Sequence, residues 1–182
     1  MEAIVRTGVA FGLVTLLLAG SRVGDQTSAA AEGAVGGTRS SFARGPIPAP
    51  RFAEKDIFGK STVALEDYLG KIVLLNFWAT WCAPCREEIT ALKALQASHK
   101  GLVAVIGVSV FSSDQDTEQF YKDYGITYPV FYGSFDLMER YDKVAAIPTT
   151  FIVDKQGAIA AKVIGSRTRE QYEEMLKPLL DR

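Results

Sequence analysis

The pattern of hydrophobic and polar residues in the second part of the chain changes period from strand to helix. Residues 72–79 (IVLLNFWA) are almost continuously apolar, which is typical of a strand that is buried on both faces of a sheet. Ile89, Leu92 and Leu95 then recur at a spacing that suits one face of a helix. A buried strand followed by an amphipathic helix predicts an α/β fold.

The same alternation continues on both sides of this strand. Residues 50–65 hold two short runs joined by a turn at Gly59, which predicts a β-hairpin. The other predicted strands are 102–110, 128–132, 149–154 and 158–165. The other predicted helices are 116–125, 135–142 and a last one that begins at Thr168.

The N-terminal part of the chain has a different composition. Arg6 precedes an uncharged, apolar segment, residues 7–21, which predicts a secretory signal peptide over residues 1–21. A membrane anchor is the alternative, although the segment is shorter than the roughly 20 residues that a spanning helix needs. Residues 22–49 are rich in Ala, Gly, Ser and Thr and predict a flexible linker. We therefore expect one folded domain over residues 50–182.

Charge excludes one class of partner. The chain has 20 Lys and Arg residues against 21 Asp and Glu, without a long run of either sign. A nucleic-acid-binding protein carries a basic patch, so we expect no nucleic-acid partner. The expected partners are proteins or small molecules.

The two cysteines of the chain, Cys82 and Cys85, lie in the motif WCAPC directly after the buried strand. This position is the first turn of the predicted helix, where residues three apart share one face and a disulfide can open and close with little backbone movement. Pro84 is tolerated there because the N–H groups of the first turn have no helical partner. The spacing therefore predicts a redox-active pair.

The helix dipole and the free N–H groups of the first turn stabilise an anion at Cys82, so its thiol should ionise below the ordinary pKa of about 8.5. Cys82 is the predicted nucleophile, and Cys85 resolves the mixed disulfide. A purely structural disulfide is the alternative, but such a short loop restricts the unfolded chain little. Zinc needs about four ligands, and His99 is the one histidine, so we expect no metal and no cofactor.

These motifs resemble the thioredoxin superfamily. WCAPC follows IVLLNFWAT, and IPTTFIVDKQG begins 65 residues after Cys82. The resemblance covers residues 50–182 and is closest to the exported TlpA/ResA-like branch. It implies a thioredoxin-like three-layer fold, with a central mixed sheet, helices on both faces and an N-terminal β-hairpin.

The resemblance also implies a substrate-binding surface. Pro148 is expected to follow a cis peptide bond beside the cysteines, and the backbone of Ile147 is expected to pair with an extended substrate segment. Trp81 is expected on the surface next to the first cysteine. Ala83 and Pro84, between the cysteines, complete the expected substrate contacts.

Two positions near the cysteines concern proton transfer. Cytosolic thioredoxins carry an aspartate where this chain has Asn76, whose amide cannot accept a proton. Members of the exported branch often carry a glutamate three residues after the second cysteine, which is Glu88 here. The resemblance implies that Glu88 handles the proton of Cys85. The alternative is that Glu87 and Glu88 are acidic residues favoured near a helix N-terminus.

The expected function is that of a bacterial, periplasmic or otherwise extracytoplasmic thiol-disulfide oxidoreductase that reduces client proteins. Ala83-Pro84 lacks the histidine that strongly oxidising relatives place between their cysteines. The resemblance implies a membrane-embedded thiol reductase as electron donor. It also implies clients in cytochrome c biogenesis, namely apocytochrome c, or copper-site assembly proteins.

Two alternatives share some of these features. A thiol peroxidase of the peroxiredoxin type also uses a cysteine at a helix start, but its Pro-x-x-x-Thr-x-x-Cys pattern is absent because Ala79 lies three residues before Cys82. A metal-binding or haem-binding module is the other alternative, and the single histidine argues against it.

Overall fold

The structure is a computed structural model that describes residues 46–181. The predicted signal peptide or anchor and the linker up to residue 45 lie outside the described residues. Within the described range, no helix has both the length and the apolar character needed to cross a membrane.

Eight strands and four α-helices follow one another along the described chain. The strands are β1 (Ile47–Pro48), β2 (Ala53–Lys55), β3 (Thr62–Ala64), β4 (Ile72–Trp78), β5 (Val103–Ser109), β6 (Val130–Tyr132), β7 (Thr149–Val153) and β8 (Ala158–Ile164). The helices are α1 (Ala83–Ser98), α2 (Asp114–Asp123), α3 (Phe135–Arg140) and α4 (Arg169–Leu180), with a short 3-10 helix at Leu65–Tyr68.

Six strands form one mixed sheet in the order β1-β8-β7-β4-β5-β6. The strand β4 is parallel to β5 and antiparallel to β7, and all seven of its residues are buried. A strand that pairs on both sides and is covered on both faces must be apolar throughout, which explains the continuous hydrophobic run of residues 72–79. The predicted hairpin is confirmed, because β2 and β3 pair as a separate two-stranded sheet.

Helices cover both faces of the sheet. One face packs against residues of α1, α2 and α4, including Leu92, Phe120 and Tyr172. The other face packs against α3 and the 3-10 helix through Leu137 and Leu65. The predicted thioredoxin-like three-layer fold is confirmed, and both cysteines lie in the first of these two cores.

The large sheet begins before the predicted domain boundary. Strand β1 pairs with β8, with Ile47 opposite Ile159 and Pro48 opposite Ala158. These two residues fall at the end of the segment that the sequence suggested as a linker. Pro48 suits this place because an edge strand does not need its missing N–H group.

Candidate active site

The cysteines lie where β4 ends and α1 begins. Cys82 is the N-cap residue of α1, and its Sγ forms a disulfide of 2.04 Å with Cys85. The backbone N–H of Cys85 donates to Cys82 Sγ at 3.3 Å. A cap position needs an acceptor for such an N–H group, and a thiolate would supply one. The helix start therefore suits a sulfur anion at Cys82.

The surroundings of the disulfide combine exposed and buried residues. Cys82 is 5% exposed and Cys85 is 1% exposed. Trp81 is 62% exposed, and Ala83 and Pro84 are exposed too. Trp81, Ala83 and Pro84 therefore lie where a partner protein could contact them.

The residues of the IPTT motif reach the same end of the sheet. In the antiparallel pairing of β4 with β7, Phe77 lies opposite Thr149. Pro148 therefore lies level with the end of β4, which leads to Cys82. The peptide bond between Ile147 and Pro148 is cis, as the resemblance implied. Ile147 is partly buried and packs against both hydrophobic cores.

Glu88 is buried in α1 and accepts three hydrogen bonds. Its Oε1 accepts from the hydroxyl of Tyr172 at 2.8 Å and from the backbone N–H of Arg167 at 3.0 Å. Its Oε2 accepts from Asn76 Nδ2 at 2.9 Å. Glu88 is not a surface residue that merely complements the helix dipole, because its carboxylate is inside the protein and fully bonded.

Thr150 closes this set of hydrogen bonds. Asn76 Nδ2 donates to Thr150 Oγ1 at 2.9 Å, and the hydroxyl of Tyr172 lies 3.0 Å from the same oxygen. A phenol has a single proton, and the carboxylate is the stronger acceptor for it. The Thr150 hydroxyl can then donate its own proton to the Tyr172 oxygen. Each polar group in this network is then satisfied.

Burial and hydrogen bonding act on Glu88 in opposite directions. Burial raises the pKa of the Glu88 carboxyl, and the bonds from Tyr172, Arg167 and Asn76 offset this only in part, so the pKa lies above its ordinary value. Burial and the neighbouring carboxylate also raise the pKa of Tyr172. Tyr172 therefore remains a protonated donor while Glu88 can exchange a proton.

Glu88 is one of the residues that line a surface groove. This groove of about 440 Å³ between α1 and the start of α4 is lined by Glu88, Ala91 and Arg167, among others. The groove opens to the surface where α1 and α4 meet.

Some residues of this site were not predicted from the sequence. Thr150 follows Pro148 by two residues, and the register of β4 with β7 places it opposite Asn76. No sequence pattern marked Tyr172 as a site residue, because its spacing in α4 is that of an ordinary core residue. The described residues include no group of three or more His, Cys, Asp or Glu side chains that could hold a metal ion.

Comparison with known proteins identifies the family. Residues 47–162 match the family model described as the AhpC/TSA family. The chain belongs to the AhpC/TSA family. The thioredoxin-like protein YneN of Bacillus subtilis is 37% identical over 131 residues, which is 70% of this chain and 76% of that protein. The thiol-disulfide oxidoreductase ResA of Bacillus thuringiensis subsp. konkukian is 35% identical over 132 residues, which is 72% of this chain and 76% of ResA.

Solved structures agree with these relatives. A thiol:disulfide interchange protein of the thioredoxin family from Chlorobium tepidum TLS superposes with a TM-score of 0.70 at 27% identity, covering 75% of this chain and 98% of that one. A DsbF homologue from Corynebacterium diphtheriae has a TM-score of 0.67 at 31% identity, covering 75% of this chain and 88% of that one. The predicted resemblance is confirmed, and this family member is a thioredoxin-like thiol-disulfide oxidoreductase.

Proposed function

We propose that the protein reduces disulfides of client proteins outside the cytoplasm by exchange with the Cys82/Cys85 dithiol. The observation that carries the proposal is the position of Cys82 at the N-cap of α1, with its Sγ bonded to Cys85 and accepting a first-turn N–H. This is the position in a helix that best stabilises a thiolate. Ala83-Pro84, between the cysteines, adds no cation, which favours a reductant.

The reaction transfers two electrons in two exchange steps. The Cys82 thiolate attacks one sulfur of the client disulfide, which forms the Cys82–client disulfide and releases the other client sulfur as a thiolate. Cys85, after losing its proton, attacks Cys82 Sγ and releases the second client sulfur. The client gains two electrons and two protons, and the protein is left with the Cys82–Cys85 disulfide.

Glu88 is the proposed acceptor of the Cys85 proton. Both residues lie on α1 one turn apart, and both are buried. Asn76 occupies the position where cytosolic thioredoxins carry an aspartate. Its amide cannot accept the proton and instead donates a hydrogen bond to Glu88. Because the pKa of Glu88 is raised, its carboxylate is a stronger base than an exposed one and suits proton transfer from a thiol.

The location, client and donor are proposed together. The predicted signal or anchor over residues 1–21 supports export, and thiol-disulfide exchange suits an oxidising compartment. A reductant there needs electrons from the cytoplasm, so a membrane-embedded thiol reductase is the proposed donor. Apocytochrome c or copper-site assembly proteins are the proposed clients, as in the branch that the chain resembles.

Trapping of the mixed disulfide tests the proposal. Cys85→Ser leaves the nucleophile but removes the resolving thiol, so the full chain expressed in a bacterial periplasm should accumulate Cys82-linked partners. Mass spectrometry identifies the client and the donor. Cys82→Ser is the matched control and should accumulate none. Equal amounts of partners on both variants would contradict the assigned roles.

Thiol peroxidase activity is the second candidate, because a cysteine at a helix start also suits attack on a peroxide. The buried Ala79 has no hydroxyl to orient a peroxide three residues before Cys82. Consumption of hydrogen peroxide by the reduced protein distinguishes the two activities. Turnover with peroxide faster than with a protein disulfide would replace the proposed function by this one.

A further inference from the structure

Two exposed aromatic residues next to the disulfide are joined by a hydrogen bond. Trp81 is 62% exposed and Phe111 is 63% exposed. The indole Nε1 of Trp81 donates to the backbone carbonyl of Phe111 at 2.9 Å. The loop after β5 is therefore held against the residue that precedes Cys82. We call Trp81 and Phe111 the aromatic ledge.

Further hydrogen bonds hold this loop in place. The backbone N–H of Thr80 donates to Ser112 Oγ at 3.0 Å. The backbone N–H of Val110 donates to the carbonyl of Trp78 at 2.9 Å. The residues on both sides of Phe111 are thus bonded to the segment that leads into Cys82. The backbone at Phe111 is therefore fixed next to Trp81, the neighbour of Cys82.

The backbone at Phe111 is unfavourable for a phenylalanine. Its φ angle of 53° lies in the left-handed region, which favours glycine. The ring belongs to neither hydrophobic core, so burial of the side chain does not offset this strain. Glycine or asparagine would suit the backbone better. An aromatic ring that is kept at a strained and exposed position near a reactive centre points to a function in binding.

The charge beyond the ledge is negative. From Phe111 to Tyr121 the chain carries Asp114, Asp116 and Glu118 and no Lys or Arg. Asp114 and Asp116 are exposed at the start of α2. A segment that covers the ledge and continues over α2 therefore meets apolar surface first and acidic surface next.

We propose that the aromatic ledge binds an extended client segment with a large apolar residue beside the disulfide cysteine and a basic residue further along. This proposal rests on the proposed disulfide reductase function. Any client sulfur that reaches Cys82 must pass close to Trp81, because Trp81 is adjacent to Cys82 in the chain. The hydrogen bonds of the loop after β5 hold Phe111 next to Trp81, so the client segment passes Phe111 as well. Phe111 determines specificity and takes no part in the exchange chemistry.

Peptide disulfides of defined sequence test the proposal. Three peptides, Lys-Leu-Cys-Leu-Lys, Lys-Ser-Cys-Ser-Lys and Glu-Leu-Cys-Leu-Glu, are joined through cysteine to 2-nitro-5-thiobenzoate, which absorbs when it is released. The reduced full chain should show the highest kcat/KM with the Leu/Lys peptide. For each protein, the kcat/KM for the Leu/Lys peptide is divided by the kcat/KM for the small disulfide dithiobis(nitrobenzoate). Phe111→Gly should lower this ratio about fivefold.

A stability measurement separates binding from folding. Phe111→Gly removes the strained side chain, so its Tm should equal or exceed that of the wild type. Phe135→Ala is the control, because Phe135 is 74% exposed and lies on α3 at the other face of the sheet. Its ratio of kcat/KM values should be unchanged.

Three results would overturn the proposal. An unchanged ratio in Phe111→Gly shows that the ring does not bind the segment, and an equal loss with Phe135→Ala shows a general surface effect. A wild type that does not discriminate among the peptides shows that the ledge has no specificity. Failure of the wild type to reduce any of these disulfides would instead refute the reductase function, so the two failures are distinguishable.

Discussion

The hydroxyl of Tyr172 donates a hydrogen bond of 2.8 Å to the carboxylate of Glu88, which joins α4 to the helix that carries the cysteines. Both side chains are buried, and 84 residues separate them in the chain. A donor to a carboxylate stabilises its charged form and lowers its pKa. Tyr172 therefore limits how far burial raises the pKa of Glu88.

Removing this hydroxyl should make Glu88 harder to ionise. Tyr172→Phe keeps the ring in the core, raises the pKa of Glu88 further, and should shift the pH profile of mixed-disulfide resolution to higher pH. The loss of the buried hydrogen bonds with Glu88 and Thr150 should lower the free energy of unfolding by about 1–3 kcal/mol. Single-turnover reduction followed from pH 5 to pH 9 measures the profile.

Tyr128→Phe is the matched control for this experiment. Tyr128 is equally buried, but its hydroxyl has no hydrogen-bond partner among the described residues. Its removal should leave the pH profile unchanged. The same shift in both variants would show that Tyr172 acts through packing and not through its bond to Glu88.

Replacing the carboxyl of Glu88 should affect the thiols and the pH dependence of stability. A carboxylate repels a nearby thiolate, so Glu88→Gln should lower the apparent thiol pKa and slow resolution. The amide can still accept from Tyr172, and the Asn76 amide can rotate to accept from the new N–H groups. Folding should therefore remain nearly intact. Thiolate absorbance against pH measures the thiol pKa, and an unchanged thiol pKa together with unchanged resolution would remove Glu88 from the mechanism.

The sign of the stability effect follows from the direction of the pKa shift. The pKa of Glu88 is raised in the folded protein above its ordinary value of 4.5. Its contribution to stability is therefore complete below the unfolded pKa and is lost as the pH rises through the folded pKa. Glu88→Gln should remove this loss. Urea unfolding at pH 4 and pH 8 measures this: the free energy of unfolding at pH 8 relative to pH 4 should be higher for the variant than for the wild type.

A second carboxyl beside Glu88 should destabilise the protein at neutral pH. Asn76→Asp replaces a donor 2.9 Å from Glu88 Oε2 by an acceptor, and two buried carboxylates at this distance cannot both ionise freely. We expect a loss of about 2 kcal/mol at pH 7 that becomes smaller on acidification. Asn76→Ala removes the same hydrogen bonds without adding a charge, so its loss should change less with pH than the loss in Asn76→Asp. Equal pH dependence of the two variants would show that repulsion between two carboxylates does not cause the loss.

The reduction potential should lie closer to that of thioredoxin, about −270 mV, than to that of DsbA, about −120 mV. The physical reason is that Ala83-Pro84 supplies no cation that would stabilise the Cys82 thiolate. Pro84→His should make the potential more oxidising, and Pro84→Gln, which adds no charge, should change it less. Equilibration with glutathione measures all three proteins. A wild-type value close to that of DsbA would favour an oxidase.

The sequence by itself determined the order of the elements and the position of the redox pair. The continuous apolar run of β4, the helical spacing of α1 and the start of the last helix at Thr168 each report local interactions, because burial pattern and helix ends depend on neighbouring residues. The cysteines were found for the same reason, since their spacing and Pro84 specify a helix start.

The tertiary structure decided which distant groups meet. Tyr172, Thr150 and Asn76 come from three separate elements, and their bonds around Glu88 depend on the register of β4 with β7 and on the packing of α4 against α1. Phe111 gave no signal either, because its exposure and its bond to Trp81 arise from the loop conformation. Such contacts are long-range, and no local pattern of residue types encodes them.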